Sequence, residues 1–435
     1  MSADELHDLQ LQKFRERLCH AAEWIPFYQR QFRQLGFDPR DVQSLDDVSQ
    51  LPALSREDLV EYHADLVDRR MVKAVTAADQ RGLAKPIPFA PFRRNRLVKH
   101  TSSGSTGEPV AYYEDGSTSA ASWAFEKLFK NWYGIHRAPR EVRMMRLATE
   151  YMPSGKTQSL RKLLWRHVVL PGLSLADHDY ERSFDVLQKF QPAVLWGFTS
   201  ALRGLAEYML ANGKRLSYRP KLVVTWAEPV HAEEEDSLQR AFDCPVTNLY
   251  SSHEVGHIAC RCPAGSFHVD QKHLLVQVDR ESIKLDDADS GELVITTLFD
   301  SPMPFIRYRM GDIGSVSEST CSCGRKLQVL NSLVGRTYEL FTTRDGRMIS
   351  PNFWLHLFRR ENVAGFIKRF QITYKKDGNI LIKIVPKPGH SMETEPELRQ
   401  LVAASLENQA ILDWTYVAEI TPEPSGKIPI VKHEK

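Results

Sequence analysis

Apolar and polar positions change their pattern along the chain, and these changes separate regions of different structure. Residues 1–70 read as helices broken by loops, and LSREDLVEY at 54–62 begins with a Ser-x-x-Asp capping pattern. From residue 140 to 250, short apolar runs alternate with helical stretches. Residues 265–340 carry short strand-like runs with frequent turns, and a smaller mixture of both patterns follows.

The alternating region predicts strands and helices in turn. EVRMMRLAT, AVLWGF, KLVVTWA and CPVTNLY resemble buried strands, and SFDVLQKFQ, TSALRGLAEYMLANGKR and AEEEDSLQRAF lie between them as helices. Such alternation is typical of a mainly parallel sheet with helices on its faces. We therefore predict an α/β fold: a large N-terminal domain with mainly parallel sheets and a β-rich subdomain, then a small α/β C-terminal domain.

Composition and charge narrow the class of protein. The chain has 435 residues, 42% of them apolar, which is enough for a large core and more than one domain. Lys and Arg number 57 against 55 Asp and Glu, so nothing favours nucleic acid or an anionic membrane as the main partner. Neither a secretory signal nor an apolar run of about 18 residues is present, so we expect a soluble cytoplasmic protein without a membrane span.

A loop rich in small residues, TSSGSTGEPV, occupies positions 101–110. Glycines at two positions allow a tight turn with inward N–H groups, and hydroxyl side chains surround them. A nest of this kind suits phosphate oxygens, although a structural loop explains the composition equally well. No Gly-Lys-[Ser/Thr] follows, so this is not the phosphate loop of nucleotide hydrolases. The candidate phosphate-binding residues are Ser102, Ser103, Gly104, Ser105, Thr106 and Gly107.

Five further motifs follow the loop and give it a context. They are TWAEPV (225–230), LYSSHEVGHIA (249–259), FIRYRMGDIG (305–314), VGRTYEL (334–340) and PSGKIPIVK (424–432). In this order and spacing, the set resembles the adenylate-forming enzymes, the superfamily of acyl-CoA synthetases and nonribosomal adenylation domains. The length, the phrase PFIRYRMGD and CSCGR before VGR are most similar to the phenylacetate–CoA ligase family and its relatives in polysaccharide gene clusters. The resemblance extends from about residue 20 to residue 432.

The resemblance implies a two-step reaction. Such enzymes join a carboxylate to ATP, which gives an acyl-adenylate and pyrophosphate, and then pass the acyl group to a thiol or an amine. It also implies a large domain to residue 335, with a zinc-bearing β-rich part at about 255–330, and a small mobile domain from 336 to 435. The implied co-substrates and cofactors are ATP, Mg²⁺ and coenzyme A, and the implied substrate is a small carboxylic acid. An oligomer is possible.

Each role in that reaction has a matching position in this chain. The loop would hold the β- and γ-phosphates. Glu254 matches the magnesium-binding glutamate, and a hard carboxylate oxygen is a ligand that suits Mg²⁺. Asp312 would bind the ribose hydroxyls, and Arg336 would help to hold ribose and phosphate. Lys427 matches the C-terminal lysine that stabilises charge on the forming adenylate. The remaining nucleotide-binding positions are Ala227, Glu228 and Pro229 along the adenine and Tyr250, Ser251 and Ser252 in the glutamate motif.

The chain departs from the family pattern at several positions. Glu108 stands where many relatives carry Lys, and Ser251 replaces a glycine in the glutamate motif, where His253 is also unusual. After Arg336, Thr337–Glu339 replace the paired acids that are typical of the hinge. We expect Ser251 to alter the floor of the acyl pocket and Thr337–Glu339 to alter the motion at the hinge.

Four of the six cysteines fall in two Cys-x-Cys pairs, in ACRCPAGSFHVD (259–270) and TCSCGRK (320–326). Thiolates with an imidazole make a closed tetrahedral zinc site, and paired cysteines in a cytosolic chain favour a metal over a disulfide. We predict a structural Zn²⁺ on Cys262, His268, Cys321 and Cys323, with Cys260 as the alternative to His268. Four reduced buried cysteines without a metal are the other interpretation.

One further segment bears on the acyl substrate and its acceptor. AVLWGFTSAL (193–202) resembles a segment that lines the acyl site, and Trp196, Phe198 and Trp226 are either aromatic walls or ordinary core residues. Aromatic walls favour an aryl or otherwise apolar acid, with coenzyme A as acceptor. The alternatives are transfer to an amine or a carrier protein, and a non-catalytic nucleotide-binding protein of the same fold.

Overall fold

The computed structural model describes residues 2–81, 97–101, 111–145, 166–172, 177–283, 289–318, 320–336, 341–342, 348–349, 354, 357–358, 364–406, 411–421 and 430–434. The chain divides into two compact units. The first comprises Met1–Val276, Val294–Tyr308 and Ser317–Asn331, and the second comprises Gln277–Leu293, Arg309–Val316 and Ser332–Lys435. The domain boundary expected at residues 335 and 336 stays a prediction.

The N-terminal part of the first unit is helical, as predicted. The helices are α1 (Ala3–Trp24), α2 (Pro26–Leu35), α3 (Arg56–Glu61) and α4 (Val72–Arg81), with 3₁₀ turns at Pro39–Asp41, Leu45–Gln50 and Arg69–Met71. The capping pattern of Ser55 and Asp58 forms as expected, because each side chain accepts a backbone N–H of the other residue. Gly36 ends α2 in the left-handed conformation, with φ of 64°.

A short hairpin precedes the main sheet. Strands β1 (Val98–Thr101) and β2 (Ala111–Glu114) pair antiparallel, and Thr101 lies opposite Ala111. The predicted phosphate-binding loop joins these two paired ends, but Ser102–Gly107 lie outside the described residues.

The main sheet of the first unit has the predicted parallel core. Its strands are β3 (Glu141–Met145), β4 (His167–Pro171), β5 (Val194–Phe198), β6 (Leu222–Trp226), β7 (Val246–Ser252), β8 (Gly256–Arg261) and β9 (Phe267–Val269). The order is β4-β3-β5-β6-β7-β8-β9, and β3 to β7 run parallel whereas β8 and β9 are antiparallel to their neighbours. This is the pattern that alternating strands and helices favour, because crossover helices connect parallel strands.

Helices cover both faces of this sheet. They are α5 (Gly116–Trp132), α6 (Asp177–Phe190), α7 (Thr199–Ala211) and α8 (Ala232–Phe242). Apolar side chains of α6, α7 and α8 pack on one face, and Phe125 and Phe129 of α5 pack on the other against Trp196. Alternate positions of β5 and β6 therefore enter two different cores, as the near-continuous apolar runs predict.

The later strands form the β-rich part and the C-terminal fold. Strands β10 (Leu274–Asp279), β11 (Gly291–Thr297), β12 (Tyr308–Ser317) and β13 (Val329–Arg336) each contain residues of both units. The second unit also contains β14 (Phe341–Thr342), β15 (Met348–Ile349), β16 (Ile367–Tyr374), β17 (Ile380–Pro386), α9 (Glu395–Ser405), β18 (Leu412–Tyr416) and β19 (Val431–His433). There a four-stranded sheet of order β18-β17-β16-β19 shares a core with α9. The α/β prediction is confirmed. No helix in the described ranges has the length and apolar character needed to cross a membrane.

Candidate active site and metal centre

The predicted adenine segment and the predicted glutamate motif lie side by side at one edge of the parallel sheet. Phe198 is in register with Trp226, and Trp226 is in register with Leu249. Ala227–Pro229 therefore follow β6 directly beside Tyr250, the next residue of β7. In open α/β sheets, ligands bind outside the carboxyl ends of the strands. The register thus brings these two motifs together at the edge where a nucleotide would bind.

The turn after β6 is held from both sides. Ala227 has φ of 60°, a left-handed conformation that costs a non-glycine residue roughly 1 to 2 kcal/mol. The hydroxyl of Thr199 donates to the Glu228 carbonyl at 3.1 Å, and the side-chain amide of Asn248 donates to the same oxygen at 3.2 Å. Thr199 begins α7 after β5, and Asn248 lies on β7. The start of α7 on one side and β7 on the other therefore fix the turn in this unfavourable backbone geometry.

The carboxylate of Glu228 caps the helix that begins beside it. It accepts hydrogen bonds from the Ser200 backbone N–H at 2.7 Å and from the Ser200 hydroxyl at 3.1 Å. Ser200 is the second residue of α7, and a negative charge at a helix N-terminus is favourable. Glu228 thus joins the adenine segment to α7. The sequence motif alone does not reveal this structural role.

The glutamate motif forms the β7–β8 hairpin. Glu254 lies in its turn, between Ser252 and Gly256, which are opposite each other in register. The Ser252 hydroxyl accepts the Val255 N–H at 3.2 Å, and Gly256 has φ of 79°. A β-carbon at Gly256 would lie 2.6 Å from the Ser122 hydroxyl of α5, so only glycine fits without a shift. The hairpin that positions Glu254 therefore lies against α5 at Ser122.

An ion network under this hairpin was not predicted from the sequence. Arg143 of β3 lies 2.6 Å from the Glu126 carboxylate of α5 and 3.2 Å from Glu141, and Lys130 lies 2.6 Å from Glu141. His257, next to Gly256 on β8, completes it at 3.1 Å from Glu126. Burial acts to raise the pKa of Glu126, but the charges of Arg143 and His257 and the His257 hydrogen bond outweigh it and hold that pKa well below its usual value. An ionised Glu126 therefore ties α5, β3 and the glutamate hairpin together.

The three aromatic candidates for the acyl site differ in position. Trp196 is completely buried, and its ring packs 5.6 Å from Phe129 and 4.5 Å from the Arg143 guanidinium carbon. It therefore belongs to the core between the sheet and α5. Phe198 and Trp226 are half-buried at the carboxyl ends of β5 and β6. Those two remain candidates for acyl-site walls.

The remaining nucleotide candidates lie in the second unit or outside the described part. Asp312 is buried in β12, with 7% of its surface exposed, and Arg336 is the last residue of β13. Lys427, like Ser102–Gly107, Glu108 and Thr337–Glu339, falls outside the described residues. The roles of all these residues stay predictions.

The two cysteine motifs meet in space, 59 residues apart in the chain. The donor atoms of Cys262, His268, Cys321 and Cys323 all lie within 4.8 Å of one another. The Cys262 and Cys321 sulfur atoms are 3.8 Å apart, and His268 Nε2 is 3.1 Å from the Cys323 sulfur. Tetrahedral Zn–S bonds of about 2.3 Å place two sulfur ligands about 3.8 Å apart, so this donor set fits zinc.

The surroundings of the cluster also suit a metal. The second imidazole nitrogen of His268 lies 3.3 Å from the Leu327 carbonyl, which can fix the ring so that Nε2 faces the three cysteine sulfur atoms. The Ser266 hydroxyl and the Cys323 N–H lower the pKa of Cys321 to about 6, which favours the thiolate form. All four donors belong to the first unit.

The alternative ligand Cys260 lies apart from this cluster. Its sulfur is 3.6 Å from the Thr247 hydroxyl, and burial raises its pKa to about 12. In the antiparallel ladder, Cys260 is paired with His268, but it is not among the four clustered donors. Between the two ligand sets that the sequence left open, the geometry favours the one with His268.

Comparison with known proteins gives sequence relatives along most of the chain. No protein-family model matches it. It is 23% identical over 404 residues to phenylacetate-coenzyme A ligase of Thermus thermophilus. This alignment covers 87% of this chain and 80% of the relative. It is 21% identical over 354 residues to Protein CapK of Staphylococcus aureus, covering 80% and 71%.

Solved structures establish the fold. A 2-hydroxyisobutyryl-CoA ligase in the postadenylation state superimposes with a TM-score of 0.74 at 18% identity, covering 100% of this chain and 91% of that one. The amide bond synthetase McbA from Marinactinospora thermotolerans has a TM-score of 0.51 at 15% identity, covering 76% and 67%. The resemblance seen in the motifs is therefore confirmed: the chain has the fold of the adenylate-forming enzymes and is a sequence relative of the phenylacetate–coenzyme A ligases.

Proposed function

We propose that this protein is an AMP-forming ligase that activates a carboxylic acid with ATP and transfers the acyl group to the thiol of coenzyme A. The observation that carries the proposal is the meeting of two motifs, Ala227–Pro229 and the Glu254 hairpin, at the carboxyl edge of the parallel sheet. That edge is where this class of sheet binds its ligands. Relatives named as acid–CoA ligases align with most of the chain.

The first step forms one bond and breaks one. A carboxylate oxygen attacks the α-phosphorus of ATP, and pyrophosphate leaves with the electron pair of the broken P–O bond. Ser102–Gly107 would hold the departing phosphates, Asp312 and Arg336 the ribose, and Lys427 the charge that develops at the reacting centre. Glu254 would hold the Mg²⁺ that accompanies the triphosphate, because carboxylate oxygens suit this ion.

The second step consumes the acyl-adenylate. The coenzyme A sulfur attacks the acyl carbon, AMP leaves, and the thiol proton passes to solvent or to a base. Transfer to an amine is the second candidate, and the likeness to an amide bond synthetase favours it over a carrier-protein thiol. We propose an aryl or other apolar acid as the substrate, with Phe198 and Trp226 beside it. ATP and coenzyme A are cytoplasmic co-substrates, in keeping with the cytoplasmic location that the sequence predicts.

A product assay tests the acid and the acceptor together. The protein is incubated with ATP, Mg²⁺ and a panel of aryl, fatty, sugar and amino acids, with coenzyme A or hydroxylamine as acceptor, and the products are identified by mass spectrometry. We expect AMP and an acyl-CoA with an aryl or apolar acid. AMP with an amide and no thioester would favour the amine alternative. ATP binding without AMP from any acid would support a non-catalytic nucleotide-binding protein.

We propose that Cys262, His268, Cys321 and Cys323 hold a structural Zn²⁺. A site with four protein ligands is closed, so the metal would stabilise the fold and take no part in the reaction. The cluster joins β8, β9 and the segment before β13, and the Trp132 ring at the end of α5 contacts His268 at 5.8 Å. Zinc would therefore fix β8, β9 and the segment before β13 against α5.

Metal analysis of two cysteine variants tests this assignment. We expect about one zinc per chain in the wild type and in Cys260→Ser. Cys323→Ser should lose the zinc and melt at a lower temperature, because Cys323 is one of the four clustered donors and Cys260 is not. Zinc well below one per chain in the wild type contradicts the proposal. Loss of zinc from Cys260→Ser alone would instead assign Cys260 as a ligand.

A further inference from the structure

A pocket lined by basic residues opens at the opposite edge of the parallel sheet. It has a volume of about 560 Å³ and lies where the chain enters the parallel strands. Four Arg or Lys side chains and one histidine line it, and no acidic residue does. The basic lining residues are His136, Arg137, Arg140, Arg166 and Lys221.

The sheet topology brings these charges together. Arg140, Arg166 and Lys221 each precede the first residue of a strand, namely Glu141, His167 and Leu222. Those first residues are aligned: Glu141 is in register with His167 and with Val194, which is in register with Leu222. Neighbouring strands are about 4.8 Å apart, so the three basic residues occupy one short row. Arg137, in the loop that leads to β3, faces the same space.

The rim of the pocket is fixed by backbone hydrogen bonds. The Glu141 N–H donates to the Arg166 carbonyl at 2.8 Å, and the Ala193 N–H donates to the Arg140 carbonyl at 2.8 Å. The Lys221 N–H donates to the Ala193 carbonyl at 2.8 Å. Arg166 and the lining residue Gln191 have φ values of 53° and 48°, a conformation that non-glycine residues seldom adopt. The strand ends therefore fix the backbone positions of Arg140, Arg166 and Lys221, whose side chains are exposed.

These charges have little compensation within the described residues. No ion pair there involves Arg137, Arg140, Arg166 or Lys221, and Arg140 hydrogen-bonds to the Phe190 carbonyl instead. The whole chain carries a formal net charge of only +2, so the pocket is a strong local excess of positive charge. Like charges that share a concave site repel each other and attract anions. An anion that fits between them would remove this repulsion.

We propose that this pocket is a second ligand site, distinct from the adenylation site, for a small anion that carries two or more phosphate groups. Arginine forks bind phosphate oxygens in pairs, and four cations match more than one phosphate. A volume of about 560 Å³ has room for more than a single inorganic phosphate. Strands of five residues separate the pocket from Phe198 and Trp226, about 17 Å at 3.3 Å per residue. The pocket ligand and the nucleotide therefore do not overlap.

Calorimetry on the full chain tests the proposal, with tripolyphosphate and fructose 1,6-bisphosphate as probes of inorganic and organic phosphate. The pocket variant is Arg137→Glu with Lys221→Glu, and the control is Arg33→Glu with Lys73→Glu, which makes the same charge change at exposed positions on α2 and α4. Binding that the pocket variant retains in full would belong to the loop Ser102–Gly107, the candidate site for the β- and γ-phosphates, and would overturn the proposal. A melting curve of each variant confirms that it is folded. A milder pair, Arg137→Gln with Lys221→Gln, replaces the first variant if it unfolds.

We expect one binding site per chain for the tighter probe, a loss of affinity of at least tenfold in the pocket variant, and a change within about twofold in the control. The tighter of the two probes identifies the source of the phosphate. Equal losses in both variants would mean diffuse attraction and would overturn the proposal, as would no saturable binding of either probe. Because the readout is binding, the result does not depend on whether the chain forms adenylates.

Discussion

At the scale of single residues, Glu228 performs two structural tasks at the candidate nucleotide edge. Its backbone belongs to the turn after β6, and its carboxylate caps α7 through Ser200. Its carbonyl accepts hydrogen bonds from Thr199 and Asn248. The motif position expected to lie along an adenine is thus fixed by Asn248 of β7 and by the first two residues of α7.

Replacing Glu228 with Ala should therefore affect both stability and nucleotide affinity. Loss of a helix cap costs about 1 to 2 kcal/mol of unfolding free energy, and the freed turn should raise the KM for ATP severalfold. Urea denaturation and kinetics measure the two effects. Glu207→Ala is the control, because Glu207 lies on α7 in an exposed ion pair with Arg203. A variant of Glu228 no worse than this control would show that the cap is unimportant.

At the scale of elements, the β7–β8 hairpin is the part that positions Glu254. It is fixed by a left-handed glycine, by close packing on α5 and by the ion pair between His257 and Glu126. Its position against α5 depends on short-range contacts. Small changes in backbone geometry at Gly256 should therefore displace Glu254, two residues away.

Gly256→Ala should lower both stability and activity, and Gly265→Ala separates the two causes. Gly265 has φ of 92°, but a β-carbon there meets nothing within 4 Å, whereas one at Gly256 meets the Ser122 hydroxyl at 2.6 Å. Both variants should lose about 1 to 2 kcal/mol from the left-handed backbone. Gly256→Ala must also turn the Ser122 hydroxyl away, at a small further cost in stability, and only this variant should lower kcat, because it lies two residues from Glu254. Equal activity of the two variants would contradict the inference that the hairpin's contact with α5 positions Glu254.

At the scale of the molecule, buried titratable groups make stability depend on pH. Burial, with Arg143 nearby, lowers the pKa of His167 from 6.5 to about 4. Between these values the unfolded chain binds the proton and the folded chain does not, so stability falls as the pH falls from 6.5 to 4. Glu126, whose pKa is also lowered in the folded protein, adds a further loss as the pH falls below its ordinary value of 4.5.

His167→Gln should therefore flatten the dependence of melting temperature on pH between 6.5 and 4. The control is His178→Gln, because 73% of the His178 side chain is exposed, so that the same substitution there changes no buried group. Thermal melts at half-unit steps of pH compare the two. The same slope in His167→Gln as in the wild type would show that another group causes the acid sensitivity.

The sequence predicts those parts of this protein whose pattern is contained in a short stretch of the chain. The parallel strands β5 and β6 are continuous apolar runs. The cysteine pairs indicate metal binding through their residue type and spacing. The Glu126–Arg143–His257 network could not be predicted, because Glu126 has the spacing of an ordinary helix-surface charge and its partners lie on distant strands. The basic pocket was missed for the same reason: its charges are scattered over 86 positions, from His136 to Lys221, and only strand register brings them together.

The most direct test of the central claim is acid-dependent exchange of labelled pyrophosphate into ATP. The panel of acids is assayed with the wild type, Lys427→Ala and the control Lys432→Ala on β19. Adenylation predicts exchange with one class of acid, a loss of about 10²-fold or more in Lys427→Ala, and little change in the control. Exchange that is equal in all three proteins would contradict the role of Lys427. No exchange with any acid, in a folded protein that binds ATP, would contradict adenylation itself.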